Sequence, residues 1–136
     1  MKHDLKRGCH IRIQMGPNGK HKMKIKEEIE GSARILHIHG NMAMDENAEL
    51  KKILQPYLED SSLTGIILDL KNVGFIDSSG VGLIVGIYKT LQRAEKRFVL
   101  MSLNDRHREI LNITQLDKIL TIAEDRKNAL EAIVAE

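Results

Sequence analysis

Apolar and polar residues alternate in some stretches of this chain and recur at helical spacing in others. The run Ile66-Ile67-Leu68-Asp69-Leu70 is almost wholly apolar and typical of a strand buried on both faces. Strands are predicted at residues 33–39, 65–70, 97–103 and 118–123. Helices are predicted between and after them at residues 45–59, 79–94, 104–114 and 124–134. Strands that alternate with helices indicate an α/β fold, a sheet covered by helices.

Two segments complicate this pattern. Pro56 lies inside the first predicted helix, which should therefore end or kink near residue 55, because proline lacks the N–H that a helix interior needs. In residues 1–31, two short alternating arms flank the turn sequence Gly16-Pro17-Asn18-Gly19. This arrangement predicts either a β-hairpin or a flexible basic tail.

Composition sets the size and class of the protein. Its 136 residues fit one domain, and 42% hydrophobic with 29% charged residues is ordinary globular composition. The net charge of +2 is unevenly spread, because residues 1–26 carry eight Lys/Arg and one Asp, whereas the other 110 carry 13 basic and 18 acidic residues. A basic leader therefore precedes a mildly acidic body.

Several classes of protein are not expected. Cys9 is the only cysteine, so an internal disulfide and a thiolate zinc site are excluded. The sequence contains neither an apolar stretch of about 18 residues nor a signal-peptide core. We therefore expect a cytoplasmic protein.

The most unusual local sequence is Phe75-Ile76-Asp77-Ser78-Ser79-Gly80-Val81-Gly82, between a buried strand and an apolar helix. Asp77, Ser78 and Ser79 all favour a helix N-cap, so the helix should begin here. Gly82 and Gly86 predict close packing of this helix on the sheet. Ser78 is either a simple cap or a hydroxyl at a helix N-terminus, where an added phosphate is tolerated.

This segment, following Gly65–Leu70, resembles the phosphorylation loop of STAS domains, specifically of the bacterial anti-sigma factor antagonists (anti-anti-sigma factors). The resemblance extends from about Ile29 to Ile133. It implies a STAS fold at residues 29–136, with a mixed β-sheet and helices packed mainly on one side. Residues 1–28 would form a basic N-terminal extension, the hairpin or tail.

The resemblance also implies a function. Ser78 would be the phosphoacceptor, flanked by Asp77, Ser79 and Gly80. The unphosphorylated protein would bind an anti-sigma factor that is also a serine kinase of the Bergerat ATPase type, and so release a sigma factor. A PP2C-type phosphatase would restore binding after phosphorylation. This role is transcription regulation by partner switching, without enzymatic activity, cofactor, metal, direct DNA binding or membrane insertion.

One departure from the family concerns the turn after the first strand of the domain. The family often has a Gly-acid-x-Asp pattern there, whereas this chain reads Gly40-Asn41-Met42-Ala43-Met44, and the next acid is Asp45. This change puts the usual kinase docking in doubt. The predicted partner-binding residues are Asn41, Met42, Ala43, Met44 and Gly82. Met42 and Met44 either form a soft apolar surface or pack in the core.

Other chemistry is less well supported by the residues. Ser78 lacks the Gly-x-Ser-x-Gly context of a hydrolase, and His107, the only downstream histidine, is expected to be solvated or to cap a helix. His37 and His39 share a strand face and could begin a metal site with His10 or His21, but ordinary strand surface is the favoured interpretation.

A scaffold subunit of a stress-signalling or membrane lipid-transport complex is the alternative function for the same fold.

Overall fold

The computed structural model describes residues 9–15, 21–42, 52 and 54–134. Within these ranges one sheet has the strand order β1-β2-β3-β4-β5-β6, and the strands are Cys9–Met15, His21–Glu30, Ala33–Met42, Gly65–Ile76, Arg97–Met101 and Thr121–Ala123. The helices are α1, described over residues 54–59, α2 (Ser78–Arg93), α3 (Asp105–Ile113) and α4 (Arg126–Val134), with a 3₁₀ turn at Leu116–Lys118. β1, β2 and β3 pair antiparallel, and β3 to β6 pair parallel. The predicted mixed sheet is confirmed.

The central strand β4 separates two apolar layers. Ile66, Leu68 and Leu70 face the main core beneath α1, α2 and α3. Ile67 faces a smaller core on the other side, which α4 covers with Ala129 and Ile133. Three helices on one face and one on the other confirm helices packed mainly on one side. Burial of both faces explains the nearly continuous apolar run.

The N-terminal segment forms a hairpin, and the tail interpretation is wrong for its described arms. β1 pairs with β2 from Cys9↔Glu28 to Met15↔His21, and β2 continues into a ladder with β3. Ile25 is buried in the main core. β2 therefore belongs to the central sheet, and it runs without interruption across residue 28, where the domain was expected to begin.

Some element limits differ from the predictions. β3 does not end at Gly40 but continues to Met42 through an irregular register, with Gly40 at φ 119°. α1 continues through Pro56 to residue 59, because Leu54, Tyr57 and Leu58 pack against the main core. Tertiary packing thus overrides the local preference of proline. The first part of the predicted helix, residues 45–51, lies outside the described residues.

Candidate functional site

The loop between β4 and α2 is organised by Asp77. This residue is the N-cap of α2, and its Oδ1 accepts hydrogen bonds from the Gly80 N–H at 2.9 Å and the Ser79 hydroxyl at 2.6 Å. The Val81 N–H donates to the Asp77 carbonyl at 3.0 Å, the first hydrogen bond of the helix. Asp77 thereby satisfies donors that a helix N-terminus otherwise leaves unpaired.

The two serines of the loop differ in their surroundings. Ser79 is half-buried and donates its hydroxyl to Asp77. Ser78, the first residue of α2, is exposed, and within the described part of the chain its hydroxyl makes no hydrogen bond. The simple-cap interpretation of Ser78 is therefore wrong, because Asp77 fills that role. The Ser78 side chain is therefore accessible from solvent, whereas the Ser79 hydroxyl is tied to the helix cap.

The end of β3 holds this loop in place through a main-chain hydrogen bond. The Asp77 N–H donates to the Met42 carbonyl at 3.2 Å. The Met42 side chain is 0% exposed and belongs to the main core. Its prediction as an apolar contact surface for a partner is thus wrong, and the core-packing alternative is confirmed. Ala43 and Met44 lie outside the described residues.

Close backbone approach occurs at Gly80, not at the glycines for which it was predicted. A Cβ on Gly80 would lie 2.4 Å from the Met42 carbonyl oxygen and 2.8 Å from Ile76 Cγ2. Apart from the adjacent residues and the backbone of α2 itself, no heavy atom of the described residues lies within 4 Å of a Cβ built on Gly82 or Gly86. The prediction that these two glycines permit tight packing on the sheet is therefore wrong, and Gly82 is exposed.

Asn41 connects β3 to the last residues of β4. Its Oδ1 accepts the Phe75 N–H at 3.0 Å, and a Cβ on Gly74 would come within 2.3 Å of the same oxygen. Phe75 remains 51% exposed, beside the loop that carries Ser78. Sequence reasoning proposed Asn41 for partner contact and did not identify its bond to Phe75, although glycine at position 74 is a signal of close approach.

His107 supports the same part of β4 from α3. It is 1% exposed, its Nδ1 accepts the Asn104 N–H at 3.2 Å, and its Nε2 donates to the Gly74 carbonyl at 2.9 Å. The Asn104 side chain accepts the His107 N–H, which completes a capping box. Of the two predicted roles for His107, capping is confirmed and solvation is wrong. With both ring nitrogens engaged inside the fold, His107 is not positioned as a base for Ser78.

The favoured interpretation of His37 as ordinary strand surface is wrong. Its Nδ1 lies 2.6 Å from Asp69 Oδ2 and its Nε2 lies 2.8 Å from Glu28 Oε1. Arg126 donates two hydrogen bonds to the Glu28 carboxylate. In the described part of the chain, no group of three His, Cys, Asp or Glu residues is arranged to hold a metal ion. The side chains of His10 and His21 are outside that part.

The pKa values in this cluster follow from its hydrogen bonds. The bond to Asp69 and then the bond to Glu28 raise the pKa of His37 above 6.5, although burial opposes this. Burial would raise the pKa of Asp69, but hydrogen bonds from His37 and the Lys71 N–H outweigh it and leave the pKa lowered. The Arg126 hydrogen bond is the main reason that the pKa of Glu28 falls to about 2. When the His37 ring carries both protons, the four side chains form two interlocked ion pairs, His37 with Asp69 and Glu28 with Arg126.

No helix among the described residues is long and apolar enough to cross a membrane.

Comparisons with known proteins agree on one family. The sequence model of the STAS domain matches residues 23–129. The anti-sigma-B factor antagonist of Staphylococcus aureus (strain NCTC 8325 / PS 47) is 33% identical over 76 residues, which are 56% of this chain and 69% of the relative. The anti-sigma F factor antagonist of Paenibacillus polymyxa is 26% identical over 108 residues, 79% of this chain and 92% of the relative. The crystal structure of an anti-sigma factor antagonist from Mycobacterium paratuberculosis superposes with a TM-score of 0.75 at 20% identity, over 90% of this chain and all of the other.

Proposed function

The chain belongs to the STAS domain family, and on that basis we propose that it is a phosphorylation-controlled anti-sigma factor antagonist. In its unphosphorylated form it binds an anti-sigma factor that is also a serine kinase of the Bergerat ATPase type. This binding releases a sigma factor. Phosphorylation of Ser78 ends the binding, and a PP2C-type phosphatase restores it. Two relatives named as anti-sigma factor antagonists support the general role.

The difference in surroundings between Ser78 and Ser79 is the observation that supports Ser78, rather than Ser79, as the phosphoacceptor. A kinase needs a hydroxyl that can enter its active site and accept the γ-phosphoryl group. Ser78 is exposed at the first position of α2, whereas the Ser79 hydroxyl is held by Asp77 at 2.6 Å. Phosphorylation of Ser79 would break that hydrogen bond and disturb the helix cap. Phosphorylation of Ser78 would leave the cap in place.

The proposed effect of the phosphate is electrostatic. A phosphoserine carries about −1.5 to −2 charges at neutral pH, and on Ser78 these would lie beside the Asp77 carboxylate. The helix N-terminus favours anions, so the added charge is compatible with the fold. A partner that fits the neutral serine would lose that hydroxyl contact and face concentrated negative charge instead.

The surface that a partner would cover extends from this loop to its neighbours. Gly82 lies one turn further along α2 and is exposed. Asn41 and Phe75 lie on the β3 and β4 side, where Phe75 offers a large apolar side chain. Ala43 and Met44 follow Met42 in the chain and remain part of the proposed contact. Met42 itself would contribute only by supporting the loop through its carbonyl group.

The proposal is tested by phosphate mapping and by binding. The anti-sigma factor/kinase of the same organism is incubated with Mg-ATP and the wild-type, Ser78→Ala or Ser79→Ala protein, and the phosphate is located by mass spectrometry. We expect phosphate on Ser78 in the wild type and in Ser79→Ala, and none in Ser78→Ala. Ser78→Asp should weaken binding of the anti-sigma factor by about 100-fold, because burying an added charge at an interface without a paired group costs several kcal/mol.

Ser79→Ala is the matched control, since it removes the neighbouring hydroxyl from the same turn. Circular dichroism should show that all three variants retain the wild-type helical content. Phosphate on Ser79, or wild-type affinity in Ser78→Asp, would contradict the proposal.

A further inference from the structure

His37 on β3 has a carboxylate oxygen at each of its two ring nitrogens. Asp69 Oδ2 lies 2.6 Å from Nδ1, and Glu28 Oε1 lies 2.8 Å from Nε2. A neutral imidazole carries one N–H and one lone pair, so it can donate to only one of these oxygens. Both contacts are favourable only when the ring carries two protons. The His37 side chain is 18% exposed, so little water is available to replace a lost partner.

We propose that His37 is held as an imidazolium between Glu28 and Asp69, and that loss of its proton loosens the attachment of the N-terminal hairpin to the rest of the sheet. This device is separate from the Ser78 loop and does not depend on phosphorylation.

The cluster joins elements that are far apart in sequence. Glu28 belongs to β2, the hairpin strand next to β3, and Asp69 belongs to β4. Arg126, the first residue of α4, donates Nη1–H to Glu28 Oε1 at 3.0 Å and Nη2–H to Glu28 Oε2. Asp69 uses its second oxygen to accept the Lys71 N–H at 3.0 Å. One imidazolium thus lies at the junction of the hairpin, the two central strands and the C-terminal helix.

The geometry indicates which contact fails when the proton leaves. Arg126 already balances the Glu28 carboxylate, and the contact to Asp69 is the shorter one, so the remaining N–H stays on Nδ1. The Nε2 lone pair then faces the Glu28 carboxylate, and this contact changes from attraction to repulsion. Glu28 keeps its partner Arg126 and can withdraw toward α4. The side-chain bridge between β2 and β3 is lost, while their main-chain ladder remains.

Several charged groups lie around His37, and the two carboxylates in direct contact with it set the direction of its titration. Those contributed by the elements around His37 are Lys26, Glu28 and Glu30 on β2, His39 on β3, Asp69 and Lys71 on β4, and Arg126 on α4. The two direct contacts are both anionic, and they raise the pKa of His37. A pKa raised by folding contributes stability that is complete below the unfolded-state value of 6.5 and is lost as pH rises through the folded-state value. The loosening is therefore an alkaline event.

The test uses the full chain without a partner. Long-range ¹H–¹⁵N NMR spectra of the histidine rings report the protonation of His37, and amide hydrogen exchange, corrected for the intrinsic rate at each pH, reports the β2–β3 ladder. At pH 7 we expect both ring nitrogens of His37 to be protonated. Protection of the β2 amides should fall by about tenfold as the ring loses its proton, as for one lost charge-assisted hydrogen bond. Amides of β5 should show no such step.

Two variants make the test specific. His37→Gln should remove the alkaline step in β2, whereas His39→Gln, two residues along the same face of β3, should keep it. Glu28→Gln should move the His37 titration to lower pH and reduce the step, which also covers the case in which His37→Gln does not fold. A neutral His37 ring at pH 7, or an unchanged alkaline step in His37→Gln or Glu28→Gln, would overturn the proposal.

Discussion

Gly80→Ala is the change whose effect the structure defines most sharply. Gly80 lies in the first turn of α2, where the helix start meets the end of β3. The new Cβ would lie 2.4 Å from the Met42 carbonyl oxygen, 2.8 Å from Ile76 Cγ2 and 3.0 Å from Met42 Cβ. The carbonyl oxygen is main chain and already accepts the Asp77 N–H, so it cannot swing aside as a flexible side chain would. Alanine therefore requires α2 to move away from β3.

The expected free-energy change combines two opposing effects. Alanine is a better helix former than glycine by about 1 kcal/mol, which favours the variant. Overpacking of a tight site costs about 1–3 kcal/mol, and contact with a fixed backbone atom puts Gly80 at the upper end of that range. The net result should be a loss of about 2 kcal/mol in the free energy of unfolding.

Gly82→Ala is the matched control on the same helix. Gly82 is exposed, and among the described residues nothing outside α2's own backbone and the adjacent residues lies within 4 Å of its added Cβ, so only the helix preference remains. We expect a gain of about 0.5–1 kcal/mol. Urea unfolding followed by circular dichroism would measure both variants at neutral pH. If Gly80→Ala proved as stable as Gly82→Ala, the inferred close contact between α2 and β3 would be wrong.

Two further predictions concern buried or half-buried polar side chains. His107→Leu should lower the free energy of unfolding by about 2–3 kcal/mol in urea melts, because it leaves the Gly74 carbonyl and the Asn104 N–H without their partner; a change below about 0.5 kcal/mol would contradict this. The pKa of Glu28 is lowered from 4.5 to about 2, chiefly by Arg126, so its contribution is present above pH 4.5 and is lost as pH falls through about 2. Each tenfold change in proton affinity is worth about 1.4 kcal/mol, so the lowered pKa of Glu28 corresponds to about 3 kcal/mol of folding stability. Because Glu28 is only partly buried, solvent screening reduces this contribution to about 1–2 kcal/mol. Stability measured between pH 5 and pH 2 should fall less steeply in Glu28→Gln, and parallel acid limbs would refute the assignment.

The sequence predicted the structure best where a local property, such as an apolar run or a capping preference, determines which element forms. Burial of β4 on both faces follows from its apolar run, and the start of α2 follows from the capping preference of Asp77. Alternation around Gly16–Gly19 predicts a hairpin as one of two alternatives, the other being a flexible tail, and the two arms pair as the hairpin alternative requires. In each case the residues that determine the structure are neighbours in the chain.

The sequence was least informative where the partner of a residue lies far away. His37 and Asp69 are 32 positions apart, and Glu28 and Arg126 are 98 positions apart. Their contacts depend on the register of three strands and on where α4 begins, and no local pattern encodes either. The same limit explains Met42, whose burial depends on how far β3 extends beside β4. It also explains why Gly80, rather than Gly82 or Gly86, is the glycine at the close contact.

The fixed position of the loop bears on how a switch at Ser78 would act. Asp77 is tied to β3 by its N–H and to the first turn of α2 by its carboxylate, and Gly80 lies directly against Met42. None of these contacts uses the Ser78 hydroxyl. A phosphate on Ser78 would therefore break none of the contacts that hold the loop, so the backbone should keep its conformation. The added charge would act on the partner directly. Under the proposed function, the change in affinity should arise at the interface rather than from refolding of this domain, which is consistent with a modification that a phosphatase can reverse.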